Sequence, residues 1–307
     1  MLMPERPHHW GVCWMHISIE IINHILSHHK NACIAFSGGM DSMVLLDLVY
    51  RHTEYRPPVI FADSGMEYES TQDYVRDVCR KYNAPLHIAE APNTYLNQWY
   101  RYGWPMLGKL AARQWMQHHK NRNFGYRLDV STCCRRMKIA PARKLTRELG
   151  CTVQLTGQRG QVDDNLRGLR ALKDGAVKYV IADNIVIGNP LIGWTDTMIK
   201  RYTRRNELPM HPAKAAGAVT IGCLYCGGGA QYTNSGFKIL RATQPEAWRK
   251  FMVDDRAGEL VLSIKYDRPL TEVRQAVGEL GGLGKLADDR PWIFDYLKVT
   301  PIEGYTK

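Results

Sequence analysis

Short runs of consecutive apolar residues alternate with amphipathic stretches through the first half of the chain. That is the pattern of strands buried on both faces between helices. An apolar stripe at Ile19, Ile21, Ile22 and Ile25 predicts an amphipathic helix over about 17–28. Ala32 to Phe36 reads as a short strand, Ser37 to Gly39 as a tight turn, and Asp41 to Tyr50 as a helix rich in Leu and Val. The rhythm then repeats. Pro57 and Pro58 lead into a strand over 59–62, Asp63-Ser64-Gly65 turns, a helix runs from about Ser70 to Tyr82, and a strand covers 86–89. A helix from Cys134 towards Gly150 and a strand over 152–156 follow. Strands alternating with helices predict an α/β fold, a doubly wound and mostly parallel sheet. The expected division is a helical leader over 1–30, the α/β domain over 31–235 and a C-terminal α+β extension over 236–307. The extension mixes helix with a strand at 260–264.

Composition narrows the class. Of 307 residues 45% are hydrophobic and 23% charged, which excludes wholesale disorder, collagen and coiled coil. The longest apolar-rich segments, such as Met43 to Tyr50, fall short of the roughly 18 apolar residues of a membrane helix. Residues 1–30 carry no apolar run of the secretory kind, so a cytoplasmic protein with no membrane partner is expected. Lys and Arg total 41 against 30 Asp and Glu, a formal charge of +11. Clusters at Arg135, Arg136, Lys138, Arg143, Lys144 and Arg147, and at Lys200, Arg201, Arg204 and Arg205, point to an anionic partner. Phosphorylated small molecules and nucleic acids both qualify, and an ordinary basic enzyme surface is the plainer alternative.

Ser37-Gly38-Gly39-Met40-Asp41-Ser42 follows an apolar strand and opens a helix. Its glycines let the backbone turn sharply and gather N–H groups towards one point. The helix N-terminus adds partial positive charge, and the hydroxyls of Ser37 and Ser42 add donors. Such a loop suits a pyrophosphate. It is not a Walker loop, because no Gly-Lys-Ser/Thr is present.

Cys133-Cys134 and Cys223-Leu224-Tyr225-Cys226 form the second constellation. In a chain without a secretory signal these cysteines suggest metal or redox chemistry rather than disulfides. Adjacent cysteines diverge and serve one small tetrahedral zinc poorly, whereas a cluster with separate iron corners accepts both. A [4Fe–4S] cluster on Cys133, Cys134, Cys223 and Cys226 is therefore expected, with structural zinc as the alternative. Cys13, Cys33, Cys79 and Cys151 read as core residues.

The hexapeptide at 37–42 resembles the signature of the PP-loop adenine nucleotide α-hydrolases, and Asp63-Ser64-Gly65 resembles that superfamily's second, adenosine-contacting loop. Cys133-Cys134-Arg135-Arg136-Met137-Lys138 is similar to the paired-cysteine segment of phosphoadenosine and adenosine phosphosulfate reductases of the [4Fe–4S] type. Thr156-Gly157-Gln158-Arg159, with Arg167 eight positions on, looks like their substrate loop. The resemblance spans roughly 30–226. It implies that Ser37, Gly38, Gly39, Asp41, Ser42, Asp63, Ser64, Gly65, Gly157, Arg159 and Arg167 bind the nucleotide. It also implies that Asp41 and Lys138 serve catalysis, Lys138 lying between cluster and substrate.

The resemblance stops at the end of the chain. Such reductases attack sulfur with a cysteine in a C-terminal tail, and no cysteine follows Cys226 here. Three readings follow. The first is an ATP pyrophosphatase with Mg²⁺, making AMP and pyrophosphate to activate an acceptor for sulfur transfer or nucleic-acid modification. It resembles the thiolation and phosphorothioation enzymes, with a nucleic-acid acceptor, a sulfur-donor protein and a homo-oligomer as expected partners. The second is a divergent sulfonucleotide reductase, and the third a non-catalytic nucleotide- and metal-binding subunit. The aromatic stretch at Tyr95, Trp99, Tyr100, Tyr102, Trp104 and Trp115 would suit either a nucleic-acid strand or a core.

Overall fold

The computed structural model describes residues 10–29, 31–102, 104–106, 130–160, 172–218, 220–230 and 236–297. The chain divides into two compact units. The first comprises 1–63, 71–90 and 138–211; the second comprises 64–70, 91–137 and 212–307.

The first unit is built on a six-stranded sheet. In chain order it contains α1 (Trp10–His28), β1 (Ala32–Ala35), α2 (Met40–His52), β2 (Val59–Asp63), α3 (Glu69–Lys81) and β3 (Leu86–Glu90). Strands β4 (Val153–Thr156), β5 (Val177–Val180) and β6 (Ile185–Gly188) complete the sheet. The order is β3-β2-β1-β4-β6-β5, parallel except for the antiparallel edge strand β5. The doubly wound α/β architecture is therefore as the sequence leads one to expect. The chain runs outwards from β1 to β3 and then returns to place β4 on β1's other side. That reversal makes the β1/β4 junction the topological switch point, where ligands of open α/β sheets bind.

The strands form where they do because they are short, apolar and covered on both faces. Cys33 and Ile34 on β1 and Val153 and Leu155 on β4 are buried. Helix α2 is buried nearly all round, with Met43, Val44, Leu45, Leu46, Leu48 and Val49 sealed in the core. Each such side chain contributes about 1.5–3 kcal/mol. The exception, Asp47, is fully buried but satisfied by the Tyr82 and Tyr202 hydroxyls, each 2.6 Å away, and by Arg51 at 2.9 Å.

The second unit has its own core. Helix α4 (Tyr95–Tyr102) and helix α5 (Val130–Cys134) supply part of it. A π-helical turn (Arg135–Ile139) follows α5 and leads into α6 (Ala140–Glu148). The rest of the second core comes from the segment after Gly236: α9 (Gly236–Thr243), α10 (Pro245–Arg249), α11 (Ala257–Tyr266), α12 (Leu270–Glu279) and α13 (Gly282–Asp289). Between them in the chain lie α7 (Asp196–Arg205) of the first unit and the short α8 (Pro212–Ala215). The strand expected at 260–264 is instead helix α11. Its residues are buried on every side, so the apolar run carries no period that separates strand from helix. Among the described residues the segment after Gly236 is helical, without β structure.

Three rings of the aromatic stretch belong to this core, while the Tyr100 and Tyr102 side chains lie outside the described structure. Trp99 is buried, and Tyr95 and Trp104 are partly buried against it, so these rings serve the core. Trp115 lies outside the described residues. Among the described residues no helix is long and apolar enough to cross a membrane.

Candidate functional site

The nucleotide loop sits at the carboxyl end of β1, at the switch point. Gly38 adopts φ +77°, a conformation that L side chains rarely take, and Gly39 caps α2 with extended backbone. Ser42 Oγ donates to the Gly39 carbonyl at 2.9 Å and accepts from the Ser37 amide at 3.2 Å. Ser37 Oγ lies 3.2 Å from Ser42 Oγ and accepts from the Gly39 amide at 3.3 Å. The two serines thus brace the turn.

Register brings the Thr156–Arg159 loop alongside. Ala35 pairs with Thr156, so the residues after β4 run beside those after β1. A Cβ on Gly157 would stand 2.8 Å from the Asp41 carbonyl carbon and the Ser42 nitrogen. Only glycine fits there. Arg159 follows, with a side chain only 6% exposed. It pairs with Asp41 (Nε to Oδ1, 3.1 Å) and with Asp196 at the start of α7 (2.5 Å), and donates to the Trp194 carbonyl at 3.3 Å. The Nε–Asp41 approach is close but poorly aligned, leaving Nε without a hydrogen bond. It acts as a charge contact. Asp63 accepts from Gln72 Nε2 at 2.6 Å. Of the residues expected here, Ser37, Gly38, Gly39, Asp41, Ser42, Gly157 and Arg159 converge, while Arg167 lies outside the described residues. Asp196 was not anticipated; an acidic residue after an N-capping Thr195 is an ordinary helix start.

The cysteines fall in the second unit. Cys133 and Cys134 end α5, and the π-turn with Lys138 follows at once; such turns recur at functional sites. Cys223 and Cys226 close a tight turn, the Cys226 amide donating to the Cys223 carbonyl at 3.1 Å. Leu224 N donates to the Met66 carbonyl at 2.7 Å and Gly227 N to the Pro105 carbonyl at 2.9 Å, fixing the turn in place. Gly228 lies between Cys226 Sγ and Val130, so the two cysteine segments are neighbours. None of these cysteines is in a disulfide. Among the described residues, however, no three metal-ligating side chains converge on one point.

Ser64, expected to contact adenosine together with Gly65, lies in a local turn that Glu67 closes. Ser64 Oγ donates to Glu67 Oε1 at 2.7 Å and lies 3.4 Å from Cys223 Sγ. Glu67 also accepts from the Ser64 and Met66 amides at 3.0 and 3.1 Å. Glu67 Oε1 also lies 4.0 Å from Cys223 Sγ, which makes it a candidate site residue that the sequence did not reveal, since an acid closing a local turn has no signature of its own.

Cys33, Cys79 and Cys151 are buried as expected. The neighbouring Cys151 and burial push the Cys33 thiol up, while Cys33 pulls that of Cys151 down.

Residues 31–228 match the phosphoadenosine phosphosulfate reductase domain. The chain belongs to that family. The adenosine 5′-phosphosulfate reductase 1 of Bacillus subtilis is 25% identical over 211 residues, 68% of this chain and 79% of that protein. The phosphoadenosine 5′-phosphosulfate reductase of Photobacterium profundum is 25% identical over 191 residues, 62% of this chain and 65% of that protein. In fold the chain is similar to Candida glabrata FMN adenylyltransferase in complex with FAD and inorganic pyrophosphate. The TM-score is 0.50 at 11% identity, covering 72% of this chain and 67% of that one. The phosphoadenosine phosphosulfate reductase domain ends before α9, so the match does not extend into helices α9–α13.

Proposed function

We propose that this family member binds an adenine nucleotide on the Ser37–Ser42 loop and cleaves ATP between its α- and β-phosphates, activating an acceptor for sulfur transfer. The observation that carries this reading is the convergence of Ser37–Ser42, Gly157 and the buried Arg159 at the switch point, which supports an anion site there. An acceptor oxygen attacks the α-phosphorus, the α–β bridging bond breaks, and pyrophosphate leaves with the electron pair. The loop amides and Arg159 stabilise the charge that develops on the phosphate oxygens. Asp41, with its side chain 38% exposed, offers Mg²⁺ an oxygen ligand at the loop. That ion would neutralise phosphate charge.

The thiols of Cys133, Cys134, Cys223 and Cys226 have the donor chemistry of a [4Fe–4S] cluster and come from neighbouring segments. When bound, such a group would supply a sulfur or electron carrier. Lys138, four residues beyond Cys134, would offset the cluster's negative charge.

The reductase relatives favour a second reading, in which a sulfonucleotide is the ligand and sulfite the product. No cysteine follows Cys226 in this sequence, so the attacking thiol would have to come from elsewhere.

One experiment separates the readings. Anaerobically purified protein is incubated with ATP and Mg²⁺, or with adenosine phosphosulfate and a dithiol. AMP with pyrophosphate supports the proposal. Sulfite from the sulfonucleotide establishes the second reading, and neither product from protein that still binds nucleotide leaves a binding subunit. Iron measured on the same sample, with Cys133→Ala alongside, tests the cluster separately.

A further inference from the structure

The outward face of α7 carries Lys200, Arg201, Arg204 and Arg205, all exposed. Among the described residues most other surface arginines are paired: Arg51 with Asp47, Arg80 with Asp77, Arg143 and Arg147 with Asp183, Arg249 with Asp288. Among the described residues no carboxylate reaches any of the four on α7. The opposite face of the helix is fixed by burial of Ile199, Tyr202 and Thr203 and by the Tyr202–Asp47 bond, so the cations are held on a rigid element.

Their spacing is regular. Lys200 and Arg204 form one row and Arg201 and Arg205 a second, each advancing about 6 Å along the helix axis per four residues. An exposed double row of uncompensated cations costs self-repulsion unless a polyanion covers it. Repeated single charges at this spacing suit a phosphodiester backbone, and guanidinium groups pair with phosphate in bidentate fashion. Asp196, which begins the same helix, is the residue that holds Arg159 beside the nucleotide loop. A strand lying along α7 would therefore run towards the loop.

We infer that the α7 face is a docking surface for a nucleic-acid backbone, through which the acceptor of the proposed reaction is held. The inference rests on that reading only for the word acceptor, because binding is measured without nucleotide.

The test is fluorescence anisotropy of the full chain with a labelled single-stranded RNA and with duplex DNA, from 50 to 300 mM salt. The variant carries Lys200→Gln, Arg201→Gln, Arg204→Gln and Arg205→Gln. A control variant neutralises four paired surface cations, Arg76, Arg80, Arg249 and Arg268. Each phosphate contact contributes about 0.7–0.9 to the salt slope. The α7 variant is expected to lose about 3 units of slope and at least tenfold in affinity at 100 mM salt, with the control close to the parent. Arg201→Gln alone should lose just under one unit, which keeps the test open if the fourfold variant misfolds.

Equal loss in both fourfold variants would reduce the effect to net charge and overturn the inference. So would an unchanged slope in the α7 variant, or binding of anionic lipid vesicles or polyglutamate in place of either nucleic acid. Pyrophosphate release without acceptor should be the same in the α7 variant as in the parent. Failure of docking and failure of the nucleotide chemistry are thus read separately.

Discussion

Arg159 and Asp41 face each other across the β1/β4 switch point, Nε to Oδ1 at 3.1 Å, and Asp196 holds the other end of the guanidinium at 2.5 Å. One buried cation thereby locks the nucleotide loop to the start of α7. Its partners are 38% and 49% exposed, so both rehydrate if the arginine is removed. The stability cost of Arg159→Ala should therefore be about 1 kcal/mol, not the 3–5 of a buried pair cut in half. Binding should suffer more. Titration calorimetry with a non-hydrolysable ATP analogue is expected to show at least a tenfold loss for Arg159→Ala. Arg159→Lys should be intermediate, because one ammonium cannot span both carboxylates. Affinity equal to the parent's in Arg159→Ala would remove this residue from the site.

Gly157 makes a different demand. The obstacle to a side chain there is backbone, at 2.8 Å on both sides of the Asp41–Ser42 peptide bond, and backbone cannot swing away. Gly157→Ala should cost about 1–3 kcal/mol and displace the loop that Ser37 and Ser42 brace. The expected outcome is nucleotide affinity reduced at least tenfold with the circular dichroism spectrum retained. Gly278→Ala, on α12 with nothing within 4 Å of the added methyl, should be neutral or slightly stabilising. Equal behaviour of the two variants would show that the close approach is unimportant.

The sheet and its loops were legible because β1, β2, β3 and β4 are apolar runs punctuated by glycine or proline, and because the loop glycines announce themselves. Strands β5 and β6 were not. Val177–Val180 forms an edge strand with exposed Val177 and Tyr179, so it lacks the continuous apolar run of its neighbours. Helix α11 was misread because a fully buried segment is apolar whatever its period. Asp196 and Glu67 escaped because their roles lie in contacts with Arg159 and Cys223, made by tertiary structure and invisible in local pattern. The aromatic residues near position 100 were ambiguous in principle, since a stacking platform and a core need the same side chains.

Phe251 ties the segment beyond the reductase domain to the cysteine turn. Its fully buried ring stacks on Tyr225 at 4.7 Å and lies 5.4 Å from Trp104 and 5.5 Å from Phe237. Tyr225 is the residue between Leu224 and Cys226, so the ring braces the turn that presents both thiols. Phe251→Ala should cost about 3–5 kcal/mol. Cys223 and Cys226 are expected to be alkylated faster, followed by mass spectrometry, and anaerobically bound iron to fall. Unchanged alkylation in a destabilised variant would mean that the helices after Gly236 stabilise the unit without bracing the turn.

His211 gives the fold a pH dependence with a definite sign. Its ring is 2% exposed, with Nε2 2.9 Å from Thr71 Oγ1 and the ring edge against Tyr74 at 5.0 Å between centroids. Burial pushes its pKa below the ordinary 6.5. The unfolded chain therefore takes up a proton near pH 6.5 while the folded chain does not, and the unfolded state binds more protons in that window. Stability should be full above that pH and decline as pH falls below it, by at most about 1.4 kcal/mol per unit from this ring. His52 is lowered in the same direction, by burial. Urea unfolding at pH 7.5, 6.5 and 5.5 tests this with His211→Gln, which removes the titrating ring. The parent should exceed the variant by its largest margin at pH 7.5, with the margin shrinking towards pH 5.5. A margin constant across the three pH values would show that His211 is neutral packing without a part in the acid sensitivity.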